Sequence, residues 1–420
     1  MDIEVSSFGT LLGLIVTVAL ILKKVNPAYA MMFGALTGGI VGGLSLMESV
    51  QVMVHGAEGM TGVVLRVLAA GVLAGVLIES GAAKRIAETI LHKLGETKAL
   101  LAITGATMIL TGVGVFIGVA ILTVAPIALS IAKRANISKF AILLAVSGGG
   151  KAGNIISPNP NAIAVAEAFK VPLTSVMVAG VLPAIGGVVI TYFIAKRLVN
   201  RGSLVTERDL PEPFMNEKLP SLAAALSGPA IAIMLLLFQP IFGIVIDPLI
   251  ALPIGGIAGA LIMRKGNQLN MFITSGITKM SAIAILLLGT GTLAGVIAHS
   301  ALISVILESI DSLGIQPYWI APIAGVTMSA ATGSTAAASA VAGNVFAPTI
   351  IDLGVNALAG AAMVHAGATV LDHLPHGTFF HITRGSVNME LKERFKLLPY
   401  ETVIGLGIVV LSTLIFGVLL

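Results

Sequence analysis

The chain has 420 residues, 56% hydrophobic and 10% charged, where an ordinary soluble domain is about 25% charged. This composition, with a mean hydropathy of +1.03, excludes a soluble enzyme, a nucleic-acid binder and a disordered chain, and the lack of polar alternation excludes a closed membrane barrel. The net charge of +4 reads as Lys and Arg held on cytoplasmic loops, and the absence of Cys removes disulfides, thiolate metal sites and thiol nucleophiles.

A spanning helix needs roughly 20 mostly apolar residues. In chain order, apolar runs predict spans at 8–22, 28–46, 60–79, 140–168, 174–195, 223–246, 248–263, 280–298, 355–381 and 400–420. Asp2 and Glu4 precede the first run, where a cleaved signal peptide would carry basic residues, so 8–22 is expected as a permanent span. Two further apolar stretches, 99–132 and 318–351, are broken by glycines near their middles and read as re-entrant hairpins. Residues 199–222, with Pro211, Pro213 and Pro220, form a polar cytoplasmic linker. The expected fold is therefore an all-α polytopic membrane protein of about ten spans plus two hairpins. It is divided into 1–198, the linker, and 223–420.

Charge sets the orientation. With the N- and C-termini outside, all but Arg66, Lys151 and Lys170 of the 24 Lys and Arg fall on inner loops, as the positive-inside rule requires. Reading either broken stretch as one crossing scrambles the pattern. Glu48, Glu58, Glu308 and Asp311 fall on outer loops.

The two halves match at an offset of about 220 residues. Asn26-Pro27 pairs with Asp247-Pro248, G-V-L-A-G-V from Gly71 with G-T-L-A-G-V from Gly291, and Gly105-Ala106-Thr107-Met108 with Gly325-Val326-Thr327-Met328. Five crossings per half is odd, so the second copy enters from the opposite face. This is the inverted-topology repeat of many secondary transporters.

Irregular backbone survives at membrane depth only inside protein or beside a wet cavity. Four places are candidates, in corresponding positions of the two halves: the hairpin tips Thr111–Gly114 and Thr332–Thr335, and interruptions at Ser147–Asn161 and Asp372–Gly377. Matched breaks of this kind point to a substrate site between repeats. Freed N–H groups at helix starts favour an anion, and Ser, Thr and Asn can bind hydroxyl or carboxylate oxygens. The candidate substrate-binding set is Ser147, Gly149, Lys151, Asn154, Ser157, Asn159, Asn161, Thr332, Gly333, Ser334 and Thr335. For the hairpin glycines the alternative is close helix packing.

An ionised Lys151 at bilayer depth is costly. It serves either as counter-charge for a carboxylate substrate or as a structural partner of Asp372. Asp372 and His373 are candidate proton carriers. His376 and His381 approach the inner surface. Glu79, His299, Glu167 and His365 read as interfacially solvated, and Arg384 to Lys396 as a basic segment lying on the inner surface.

The P-N-P-N-A-I-A segment from Pro158, A-T-G-S-T from Ala331 and D-H-L-P-H-G-T-F-F from Asp372 together resemble the gluconate permease (gluconate:proton symporter) family, within the larger ion-transporter superfamily. The resemblance spans essentially the whole chain. It implies a bacterial inner-membrane importer that brings in a small hydroxylated organic acid with protons. It also implies two re-entrant hairpins, a homodimer, no cofactor, and a site at Ser157, Asn159, Asn161, Thr332 to Thr335 and Asp372-His373. The chain departs from the pattern at S-P-N-P-N and at Gly-Gly-Gly-Lys151, which leaves glycerate, lactate, an amino acid or another sugar acid open as substrate. The alternative is a cation-coupled exchanger such as a sodium–proton antiporter, which would favour membrane-embedded carboxylates over hydroxyls and Lys.

Overall fold

The computed structural model describes residues 4–23, 25–94, 98–210, 219–300, 316–375 and 377–419. The expectations for Asp2, Lys24, Pro211, Pro213, Lys218, Glu308, Asp311 and His376 concern residues outside that set. Among the described residues the chain is helical and contains no strand. The first half comprises α1 (Ser7–Leu22), α2 (Pro27–Val41), α3 (Leu46–Glu58), α4 (Thr61–Glu79), α5 (Ala82–Leu94), α6 (Ala99–Gly112), α7 (Ile117–Ala135), α8 (Lys139–Asn154), α9 (Pro160–Ala168), α10 (Leu173–Ala179) and α11 (Val181–Arg197). The second comprises α12 (Leu222–Leu236), α13 (Phe238–Phe242), α14 (Pro248–Ile262), α15 (Leu269–Ala298), α16 (Ile320–Thr332), α17 (Thr335–Asp352), α18 (Ala357–Ala368), α19 (Thr378–Ser386) and α20 (Leu391–Thr413). Several helices, α4, α7, α15 and α20 among them, are long and apolar enough to cross a membrane.

Boundaries follow local chemistry. Asn26 and Asp247 cap α2 and α14 with side-chain oxygens while Pro27 and Pro248 occupy the first helical position, where the missing N–H costs nothing. Ser45 and Glu48 form a reciprocal capping box that starts α3. That helix was not expected, because its polar residues read as an outer loop. Likewise α15 begins eleven residues before the predicted span at 280, and α20 begins at Leu391 rather than 400.

Small residues bring the helices together, and they do so in matched pairs. A Cβ on Gly71 or Gly75 of α4 would meet the backbone of α15 around Gly276, at 2.8 and 2.2 Å from the nearest carbonyl oxygen. A Cβ on Gly291 or Gly295 of α15 would meet α3 around Gly56, at 2.6 and 2.4 Å from the nearest carbonyl oxygen. Gly56 and Gly276 are themselves about 220 residues apart, so each half inserts the same glycine pair into the other at the same relative place. A second matched seam joins α6 to α8 through Gly149 against the Thr104 carbonyl, and α16 to α18 through Gly367 against the Pro322 carbonyl.

The stretch 199–222 is not a free linker over its first part. Its backbone pairs with the foot of α8 (Ser138 N–H to Val199 O, 2.9 Å; Lys139 N–H to Ser203 O, 2.9 Å). Lys139 then reaches Asp209 at 2.7 Å and the Asn388 carbonyl at 2.9 Å. Lys139, read as a solvated loop charge, is buried in this ion pair.

Candidate functional site

The glycine-rich segment from Ser147 is helix, not interruption. α8 runs unbroken through Gly148–Gly150 to Asn154, and the break is confined to residues 155–159. The reason is packing: a Cβ on Gly149 would lie 2.2 Å from the Thr104 oxygen, and one on Gly153 would lie 2.2 Å from the Met108 oxygen. The glycines let α6 lie against α8, and Gly149 does not line a cavity. The break closes on itself through asparagines. Asn159 Oδ1 accepts from the N–H groups of Asn161 (2.9 Å) and Ala162 (3.0 Å), capping α9. Asn159 Nδ2 donates to the Asn154 carbonyl and to Asn154 Oδ1 at 2.7 and 2.6 Å. Ser157 is fully buried, and its hydroxyl has no protein partner.

The second-half interruption includes residues 369–375 and 377, between α18 and α19. Ser329 of α16 holds it, donating to the Ala368 carbonyl (2.8 Å) and accepting from the Leu371 N–H (3.0 Å). Lys151, fully buried on α8, reaches into this break. Its ammonium donates to Asp372 Oδ1 and to the Thr369 carbonyl, and lies 3.4 Å from His373 Nδ1. Asp372 Oδ2 accepts from the Thr335 hydroxyl at 2.6 Å. His373 Nε2 lies 3.1 Å from both the Leu398 carbonyl and the Thr402 hydroxyl of α20. A carbonyl only accepts, so Nε2 donates to it, while Nδ1 faces both Lys151 and Asp372 Oδ1, the latter at 3.7 Å. Of the two readings for Lys151, the structure contains the pair with Asp372.

A cavity of about 120 Å³ sits beside this pair. Phe116, Ile117 and Gly118 line it from the start of α7, Asn161 from the start of α9, Gly333 to Ala336 from the start of α17, and Thr378 and Phe379 from the start of α19, with Asp372 between them. Four helix N-termini, each following one of the four interruptions, thus converge on one small space. Gly333 ends α16 in the left-handed region, at φ +60°. The two second-half breaks touch so closely that a Cβ on Gly377 would lie 2.0 Å from the Gly333 oxygen. Larger cavities, about 350 and 340 Å³, open at helix ends around Glu79 and Lys265 and around Arg66 and Asp247. Neither is lined by a residue of an interruption.

Of the predicted residues, Asn161, Gly333, Ser334, Thr335 and Asp372 meet at the cavity, with Lys151 and His373 behind Asp372. Ser147, Gly149, Asn154, Asn159 and Thr332 do not line it. Thr332 instead closes the tip, donating to the Met328 and Ser334 carbonyls at 2.8 and 3.1 Å. Ser147 donates at 2.6 Å to Glu401 Oε1, a carboxylate that the sequence reading passed over. Glu401 is fully buried and paired with fully buried Arg394, whose guanidinium lies 4.6 Å from the Phe380 ring centroid. Arg394 is therefore not part of a surface segment. The signal that could have located the pair is its spacing: seven residues apart, Arg394 and Glu401 fall on one face of a single helix. One reading of a solvated side chain also changes, that of His365, whereas Glu79 and Glu167 stay part-exposed at helix ends. His365 is buried, with Nε2 unpartnered, Glu79 pairs with Lys279 at 2.8 Å, and Glu167 pairs with Arg66 at 3.0 Å.

A many-helix body with several helices long and apolar enough to cross a membrane, and broken helices around a buried ion pair, is that of a polytopic membrane protein. The profile of the GntP family permease matches residues 6–419, and the chain belongs to that family. It is 58% identical to an uncharacterized transporter of Haemophilus influenzae over 99% of each chain. It is 25% identical to a high-affinity gluconate transporter of Escherichia coli, covering 93% of this chain and 95% of that one. It is also 24% identical to the D-serine transporter DsdX of Escherichia coli, covering 80% and 81%. Among solved structures, the Alcanivorax borkumensis YdaH transporter shares the fold, with a TM-score of 0.58, 17% identity, and 89% and 88% of the two chains covered.

Proposed function

We propose that this protein imports a small organic anion, a sugar acid or a short hydroxycarboxylate, by proton symport with alternating access. The observation that carries the reading is the convergence of four helix N-termini on one cavity beside Lys151 and Asp372. Unpaired N–H groups and the positive ends of helix dipoles favour a carboxylate there. The gluconate and D-serine transporters among its relatives both carry a small carboxylate bearing a polar substituent. The volume lies below the roughly 300 Å³ of ordinary ligand pockets, which favours a short acid.

Coupling follows from the ion pair. A substrate carboxylate entering the cavity competes with Asp372 for the Lys151 ammonium. A carboxylate stripped of its cation in a buried place takes up a proton, so anion and proton load together. Thr335 transmits the change, because its hydroxyl rests on Asp372 while its backbone forms the first turn of α17. The matched glycine seams support an inverted repeat, with α6–α7 and α16–α17 as re-entrant hairpins dipping from opposite faces and both termini outside. Single Cys residues near Gly114 and Gly333 should then label from the inside and the outside respectively. Labelling of both from one face would overturn the inversion. The functional test is uptake of labelled gluconate, glycerate or lactate into proteoliposomes. Uptake should follow an inward proton gradient and collapse with a protonophore. Sodium-driven uptake that ignores the protonophore would overturn the coupling, and no uptake of any of these acids under either gradient would overturn the substrate class.

A further inference from the structure

A chain of hydrogen bonds fixes the orientation of three buried amides, and its last member is left with an unused acceptor beside the cavity. Asn159 Oδ1 accepts from two backbone N–H groups, of Asn161 and Ala162. Backbone N–H only donates, so the oxygen of Asn159 must face them and its Nδ2 must face Asn154. Nδ2 donates to Asn154 Oδ1 at 2.6 Å, so the amide of Asn154 cannot be reversed without placing two donors against each other. Asn161 Nδ2 lies 3.1 Å from the same Asn154 Oδ1, and only a donor fits there. Two groups of the chain are left over, Asn154 Nδ2 and Asn161 Oδ1, and of the two residues Asn161 is the one that lines the cavity. Its Oδ1 is buried and makes no hydrogen bond in the protein, and the residue is only 4% exposed. A buried polar atom without a partner is costly, and native proteins rarely keep one unless something else satisfies it.

We infer that Asn161 Oδ1 reads a hydrogen-bond donor carried by the substrate next to its carboxylate, a hydroxyl or an ammonium. The inference rests on the proposed carboxylate site. The carboxylate is held by the helix N-termini that line the cavity. The acceptor on α9 then requires N–H or O–H on the neighbouring carbon. An acid with only C–H there leaves Asn161 Oδ1 buried and unsatisfied, and such sites reject the analogue that lacks the donor. Hydroxy acids and amino acids are thereby accepted by one device, and unsubstituted carboxylates are excluded.

The test compares lactate with propionate, which differ by the one hydroxyl, with D-serine and gluconate as further donor-bearing acids. Binding is read from ligand-induced thermal stabilisation of the purified full-length protein in detergent. The unmodified protein should bind lactate at least about ten-fold more tightly than propionate, and Asn161→Ala should bring lactate down to the propionate level. Asn161→Ser provides a second variant should Asn161→Ala fail to fold, and the lactate–propionate comparison needs no variant. Equal binding of lactate and propionate by the unmodified protein would overturn this inference and leave the carboxylate site standing. A preference for lactate that survives intact in the variants would overturn the role of Asn161. Binding of none of these acids would overturn the carboxylate site itself.

Discussion

Replacing Lys151 by Ala removes the ammonium that pairs with Asp372 and leaves His373 Nδ1, 3.7 Å away, as its remaining basic neighbour among the described residues. The stem of Lys151 is fully buried, and its ammonium makes two hydrogen bonds to oxygen and one contact at 3.4 Å to His373. In the variant Asp372 keeps the Thr335 hydroxyl at 2.6 Å and His373 Nδ1 at 3.7 Å but loses the ammonium. Removing one member of a buried pair costs about 3–5 kcal/mol, far more than removing both. Lys151→Ala should therefore lose about 3–5 kcal/mol, whereas Lys151→Ala combined with Asp372→Asn should recover about half of it, leaving chiefly the cost of the lost stem. The coupling energy of the double-mutant cycle should exceed about 1.5 kcal/mol. The loss should also shrink at lower pH, where the stranded carboxylate can be neutralised by a proton. Reversible denaturant unfolding in detergent, for the two single variants and the double, measures this. Uptake should vanish in all three. Two single-variant losses that simply add in the double would refute the claim that this pair is energetically closed on itself.

The Arg394–Glu401 pair should behave alike: Arg394→Ala loses about 3–5 kcal/mol, while Arg394→Met with Glu401→Leu is close to neutral, checked by the same unfolding series. Gly149→Ala should destabilise by about 1–3 kcal/mol, because its Cβ meets the Thr104 carbonyl at 2.2 Å. Gly105→Ala, where a Cβ meets nothing within 4 Å, should be neutral or slightly stabilising, and thermal unfolding of the two distinguishes them. Burial by itself would raise Asp209, but the hydrogen bond from Lys139, those from the Thr206 N–H and hydroxyl, and the Lys139 charge together hold it below its ordinary value of 3.8. A depressed carboxylate stabilises the fold above its unfolded value and loses that contribution as pH falls through its folded value. Docking of the 199–210 segment onto α8 should therefore persist at neutral pH and loosen only in acid below about 3.8, where limited proteolysis after Arg208 reports it. In Asp209→Asn the same cleavage should appear at pH 7.

Local chemistry alone made several elements readable. Asn26-Pro27 and Asp247-Pro248 announce helix starts because a capping oxygen followed by a residue without N–H serves a helix N-terminus wherever it lies in a fold. The apolar runs announce membrane helices because a bilayer core of fixed thickness demands them. The second-half interruption at Asp372–Gly377 was placed where a proline, a glycine and an ionisable pair made an unbroken helix untenable, and the structure interrupts the helix at residues 369–375 and 377. The first-half break was drawn too wide, since a glycine triplet looks the same whether it frees the backbone or admits a neighbour. Only the position of Thr104 on α6 decides that Gly149 does the second.

Composition, periodicity and caps thus determined the class of fold, the capped starts of α2 and α14 and the residue types at the breaks, because each depends on a few neighbours in sequence and on the solvent. Tertiary structure alone decided which charges pair and which helix ends share a space. Lys151 meets Asp372, 221 residues away, and Ser147 meets Glu401, 254 residues away. The first is one of the two readings the sequence left open for Lys151, and only the second went unannounced. The energy of a buried charge is set by whichever group the packed helices bring within about 4 Å, and that is a property of the assembled bundle.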